Sequence, residues 1–195
     1  MQTSKYAWFI TAFIMISGIA TLAAESGAIE SPPKTPEERA ADSAQQALEK
    51  YNNGVKHMDK ARSYDAQSDS LFAFNYRATS TAKAEKEYDK AVKDFRRAVE
   101  LRPNMIEAHN NLGYCLRKLN KLDESMKAYA AALAIDSLYA PAREYRGELF
   151  LAMGDLNRAN AELVFLRRVD SPYADTLALS IDLFHLQQVA KGMKR

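Results

Sequence analysis

The sequence predicts an all-α fold built as a solenoid of antiparallel helix pairs. Three observations lead there. Ala, Leu, Glu, Lys and Arg are abundant while Gly and Pro number only seven and six, a composition that favours helix over sheet. Apolar residues recur at i, i+3, i+4 spacing, as on one face of a helix. Above all, the chain aligns with itself when shifted by 34 residues, the mark of a repeat architecture.

The shift places Gly113 on Gly147, Leu116 on Phe150, Leu119 on Met153 and Leu122 on Leu156. Ile135-Asp136-Ser137 falls on Val169-Asp170-Ser171. One step back, Phe95 falls on Tyr129, Ala98 on Ala132 and Leu101 on Ile135. Within the middle unit, Ala108, Leu112, Cys115, Leu116 and Leu119 form one stripe, and Leu122, Met126, Tyr129, Ala132 and Leu133 form a second. Asn120-Lys121 separates the two. A pair of helices this short cannot bury its stripe alone, so the pairs must stack.

Residues 6–24 carry no charge and follow a single Lys5, the layout of a secretory signal peptide. Small residues end the run and offer a cleavage site. The alternative is a retained N-terminal membrane anchor, since about 20 apolar residues span a bilayer. The first reading implies a periplasmic or secreted protein, the second a membrane-anchored one. Residues 25–40 hold three of the six prolines and read as a linker, with Pro36-Glu37-Glu38 suited to a first helical turn behind Thr35 as N-cap.

At the repeat positions the sequence resembles the tetratricopeptide repeat family. The middle unit supplies Ala108, Leu112-Gly113, Leu116, Ser125, Tyr129 and Ala132. The last supplies Ala142, Gly147, Phe150, Gly154-Asp155, Ala159, Leu163 and Leu166. The second helix of the first unit supplies Ala91, Phe95, Ala98 and Pro103. His109 and Arg143 replace the usual Trp, Arg146 the usual Leu, and Ser137 and Ser171 the usual Pro. The resemblance implies a right-handed solenoid over residues 41–172, whose first helices line a concave partner-binding surface. Glycine at 113 and 147 lets helices approach closely, with Phe95, Tyr129 and Leu163 filling the space between them.

The first unit departs from the pattern. Gly54 to Ala91 spans 37 positions where the other units have 12, so about 25 residues are inserted near 62–86. The expected form is two lengthened helices joined by a loop near 68–79, with Thr79 or Ser80 capping the second. The aromatic cluster of Leu71, Phe72, Phe74 and Tyr76 either tucks against the solenoid or projects as a contact. Residues 173–192 read as a capping helix, apolar inward on Leu177, Ile181, Phe184, His185 and Val189 and polar outward.

The chemistry that the chain carries is sparse. It has no Gly-rich phosphate loop, no HExxH and no GxSxG. His57, His109 and His185 fall in different units, and the single cysteine excludes an internal disulfide. A net charge of +2 lacks the basic excess of a nucleic-acid binder. These readings give a non-enzymatic scaffold with no cofactor and no metal, and a protein or peptide as partner. By phase, the concave surface carries Tyr51, Asn110, Asn111, Tyr114, Arg117, Tyr145 and Glu148. Some family members grip a peptide's C-terminal carboxylate with two Asn and three basic residues. Tyr51, Val55, Pro141 and Tyr145 stand where that clamp needs other types, so the resemblance implies no clamp here.

Overall fold

The computed structural model describes residues 33–68 and 74–192, which form seven helices and no strand. They are α1 (Pro36–Ser68), α2 (Phe74–Leu101), α3 (Ile106–Lys118), α4 (Leu122–Ile135), α5 (Ala140–Ala152), α6 (Leu156–Arg168) and α7 (Tyr173–Gly192). The chain divides by its contacts into residues 1–38 and 39–195. In the first part, Thr35 and Glu38 form a capping box: Thr35 Oγ1 accepts from Glu38 N at 3.1 Å, and Glu38 Oε2 accepts from Thr35 N at 2.7 Å. The expectations for residues 1–24 fall outside the described residues.

The described residues between 39 and 192 form a stack of helix pairs, as the sequence predicts. Each short first helix ends in the same way. Lys121 N reaches Leu116 O at 2.9 Å and Asn120 N reaches Arg117 O at 2.9 Å; Asp155 N and Gly154 N repeat the pattern onto Phe150 O and Leu151 O. These are Schellman closures, with Asn120 (φ 58°) and Gly154 (φ 78°) in the left-handed conformation they need. The ends of the second helices differ from one another. Ser171 N and Asp170 N close α6 in the Schellman manner, with Asp170 at φ 50°. Its sequence counterpart Asp136 is extended at φ −138°.

The repeat glycines seat large side chains. A Cβ on Gly54 would lie 2.7 Å from Phe95, and one on Gly113 would lie 2.6 Å from Tyr129. Ser125, at the usual alanine position, donates to Gly113 O at 2.7 Å inside the same contact. At Gly147 the expected pattern is corrected. The atoms nearest a Cβ there belong to Leu177 of α7, not to Leu163. The helix after the last pair thus reaches into that pair, and Leu177 is fully buried.

The substitutions at consensus positions are compensated locally. Arg143 and Arg146 share the buried carboxylate of Glu162, at 3.1 Å from Arg143 Nη1 and 2.9 Å from Arg146 Nε. Arg143 also stacks on Phe165 at 3.5 Å. His109 Nε2 lies 2.8 Å from Pro103 O. Each polar residue is therefore satisfied where the family packs an apolar one, so the helix spacing survives.

Two sequence expectations need correction. The lengthened first pair is present, but α2 begins at Phe74, so Thr79 and Ser80 lie inside the helix rather than at its N-terminus. Leu71 and Phe72, and the side chains of Phe74 and Tyr76, fall outside the described residues. The outward face of α7 is mixed rather than polar: Val189 and His185 are exposed, as are Leu179, Leu183 and Leu186, beside Asp175, Asp182, Gln187, Gln188 and Lys191.

Candidate functional site

The first helices α1, α3 and α5 line one surface, and α7 takes the next place in that row. The extra turns of α1 bring Arg62 over α3, where its guanidinium sits 4.5 Å above the Tyr114 ring and its Nη2 lies 3.5 Å from Tyr145 Oη. Tyr114 and Tyr145 pack at 5.3 Å between centroids, with Tyr88 and Tyr129 at 6.1 and 6.5 Å behind them. A cavity of about 420 Å³ opens here. Arg62, Tyr114, Arg117, Lys118, Glu144, Tyr145, Glu148, Tyr173 and Thr176 line it.

Ion pairs fix this wall. Arg117 binds Glu148 across α3 and α5, and Ser180 Oγ of α7 donates to the other Glu148 oxygen at 3.1 Å. Burial disfavours the Arg117 charge, but Glu148 and Tyr129 outweigh it and raise the pKa. Lys118 Nζ meets Asp65 at 2.7 Å, and Tyr88 Oη donates to the same carboxylate at 2.8 Å. Two charge signs and three tyrosines are thereby held in fixed positions.

Glu144 stands apart. It is 2 % exposed and lines the cavity. Burial first, and then the charge of Glu148, push its pKa up to about 8, against a partial pull from Arg117 and Arg62. At neutral pH it is a protonated acid, able to donate a hydrogen bond into the cavity.

Six of the seven residues drawn from the sequence fall into two groups. Tyr114, Arg117, Tyr145 and Glu148 meet at the cavity. Tyr51 and Asn111 lie along the same row, joined by Asn111 Nδ2 donating to Tyr51 Oη at 3.5 Å, with the Tyr51 ring 5.9 Å from Phe95. Burial and Glu107 raise the Tyr51 hydroxyl pKa. Asn110 is corrected: it is 4 % exposed, so its side chain is packed rather than displayed. Arg62, Lys118, Tyr173 and Thr176 are additions. Arg62 fell at the edge of the presumed insertion, and Tyr173 and Thr176 in a helix read only as a cap.

Another buried carboxylate, Glu87, lies on the seam of α1 and α2. Lys90 at 2.9 Å, His57 Nδ1 at 2.6 Å and Lys60 at 3.3 Å surround it. Led by the Lys90 bond and opposed by burial, these contacts hold its pKa down at about 2. This is a structural anchor between two long helices. Burial pushes the Cys115 thiol up to about 12, which leaves it a core residue. Among the described residues no group of three His, Cys, Asp or Glu is gathered for a metal ion. Nor is any helix there long and apolar enough to cross a membrane.

The comparisons with known proteins agree with the fold of stacked helix pairs. A TPR repeat model matches residues 83–116, and a tetratricopeptide repeat model matches residues 106–139. Two curated relatives are similar to the chain: protein O-mannosyl-transferase TMTC3 of Homo sapiens, 25 % identical over 115 residues, and that of Mus musculus, 26 % identical over 115 residues. Each match covers 55 % of this chain and 12 % of the relative, so the chain spans a small part of those proteins. Such repeats are protein-interaction modules. Together the two models match the stretch from 83 to 139, which holds the last two-thirds of α2 with α3 and α4 and resembles tetratricopeptide repeats.

Proposed function

We propose that this chain is an exported, non-enzymatic interaction module that holds an extended segment of a partner protein along α1, α3 and α5. The observation that carries this reading is the cavity of Tyr114, Tyr145 and Tyr173 flanked by Arg62, Arg117 and Glu148. Tyrosine offers area and a hydrogen bond at low entropic cost, and Tyr and Arg are the types that most often carry interface energy. In this reading residues 1–24 are a leader, 25–40 a linker, 41–172 the repeats and 173–192 a terminal helix. The protein then works in the periplasm or outside the cell. The transferase activity in the relatives' name is not carried over, because the alignment takes in 12 % of each.

The test begins with capture of partners by the full chain from its own envelope extract. Arg62→Ala with Tyr173→Ala removes two partly exposed side chains at the cavity rim, and should weaken capture at least ~10-fold if both are interface hot spots. Phe72→Ser with Phe74→Ser should leave it unchanged. Normal capture by the first variant and loss by the second would move the binding site to the insertion.

The second reading is a membrane-anchored scaffold of an envelope assembly or secretion complex, favoured by an uncharged run long enough to span. Intact-mass measurement on the native protein separates the two. Export with cleavage predicts a first residue between about 24 and 29. A chain that keeps residues 6–24 and fractionates with membranes establishes the anchor instead.

A further inference from the structure

Glu144 is a buried carboxyl that borders the cavity and lacks a protein partner. It is 2 % exposed, and among the described residues its side chain makes no hydrogen bond and no ion pair. Most other charges of the wall are matched: Arg117 by Glu148, and Lys118 by Asp65. Arg62 is matched poorly. Its hydrogen bond to Tyr145 Oη is long at 3.5 Å, and its carboxylate neighbour Asp59, 3.8 Å away, is 61 % exposed. Seated over the Tyr114 ring, the guanidinium keeps N–H groups for an acceptor from outside. Arg117 Nε is another donor there, buried and without an acceptor. The cavity therefore has more donors than acceptors and a positive balance, with Arg62, Arg117 and Lys118 set against Glu148.

We propose that the cavity takes an acidic side chain of the partner segment, whose carboxylate bridges the Arg62 guanidinium and the Glu144 carboxyl. This rests on the reading of α1, α3 and α5 as the binding row. Both groups donate, Arg62 through N–H and Glu144 through O–H, so the ligand must accept. A carboxylate answers both at once, and a guanidinium recognises it in bidentate fashion. A cationic side chain would instead meet three like charges. The row runs on past the cavity, to Tyr51 and Asn111 on one side and Tyr173 on the other. An extended segment thus crosses it in mid-course and presents a side chain rather than a chain end.

The proton on Glu144 makes the contact sensitive to pH. Burial is the largest influence and, with Glu148 of the same helix, holds the proton on up to about pH 8, against Arg117 of α3 and Arg62 of α1. From α4 comes Tyr129, packed on Tyr145, and from α7 Tyr173. Toward α6, Arg143 and Arg146 are both taken up by Glu162. Above about pH 8 the bridge would set two carboxylates against each other, so binding weakens as pH rises.

The probe is Nα-acetyl-glutamate N-methylamide, whose single charge is its side-chain carboxylate. Titrated into the full chain, it is followed by the aromatic 13C–1H NMR signals of Tyr114 and Tyr145. Binding should lie in the millimolar range of a ligand this small. It should weaken ~10-fold from about pH 6.5 to about pH 9, where the probe's own charge is constant. Glu144→Gln should lose that pH dependence, because a carboxamide donates at every pH. Arg62→Gln should weaken binding ~10-fold or more at both ends of the range. The proposal is overturned if Nα-acetyl-lysine N-methylamide binds more tightly, or if Nα-acetyl-glutamine with a free terminal carboxylate does. It also fails if the glutamate probe moves neither tyrosine, or binds with one constant across the range. Partner capture keeps these failures apart from failure of the wider reading. Capture that Arg62→Ala with Tyr173→Ala weakens, in a protein whose tyrosines ignore the glutamate probe, upholds the groove and overturns the acidic side chain. A pH-dependent response to the probe with capture unchanged in that variant supports the carboxylate site and overturns the groove reading.

Discussion

Gly113→Leu should cost ~3 kcal/mol or more of folding stability, and Gly113→Ala ~1–2 kcal/mol, in urea unfolding followed by circular dichroism. A side chain at 113 meets the Tyr129 ring at 2.6 Å, and that ring is fully buried. The ring cannot swing aside. Ser125, which bonds Gly113 O, ties its own helix to the same spot. Alanine would ordinarily gain ~0.5–1 kcal/mol over glycine inside a helix. A net loss therefore measures the contact itself. The cause is open to a double-mutant cycle. In a Tyr129→Leu background the penalty of Gly113→Ala should shrink to near zero or change sign. An equal penalty in both backgrounds would place the clash elsewhere.

The repeat was legible because its rules are short-range and periodic. Gly113, Tyr129 and Ser125 lie within 16 positions of one another, and each owes its type to packing against a neighbour one helix away. A shift by 34 residues finds such positions without a structure. Leu177 escaped that reasoning. It fills the seat at Gly147 that the period assigns to Leu163, and no repeat rule covers a helix that follows the last pair. The outer face of α7 escaped for the same reason. A polar outward side was expected, and exposed leucines share it.

The site was legible in part. Phase along the first helices found Tyr114, Arg117, Tyr145 and Glu148, because every residue at those positions faces one surface. The same phase placed Asn110 there too, yet its side chain is packed. Arg62 was missed because it comes from the lengthened end of α1, which has no counterpart in the other units. The ion pairs that compensate Arg143 and Arg146 were also invisible. Glu162 lies 16 and 19 positions away, on the partner helix, and nothing in its local sequence distinguishes it from an exposed glutamate.

Glu144→Gln should stabilise the protein by about 2 kcal/mol at pH 8 and leave it nearly unchanged at pH 4. The unfolded chain ionises this carboxyl near its ordinary value of 4.5, whereas the fold holds the proton until about 8. Between those values the native state binds the extra proton, so each step up in pH disfavours folding. The cost builds from about pH 4.5 and is complete once pH passes about 8. Glutamine keeps the shape and cannot ionise, so it removes that cost. The figure is set below the full shift because water entering the cavity relieves part of the burial. Urea unfolding of both proteins across this range isolates Glu144. Other groups, Glu87 among them, titrate alike in the two and cancel in the difference. A Gln variant that is less stable than the parent at every pH would show the opposite arrangement, with Glu144 ionised and bound to Arg62 or Arg117. The cavity would then present a fixed anion, in place of the acid that donates a hydrogen bond.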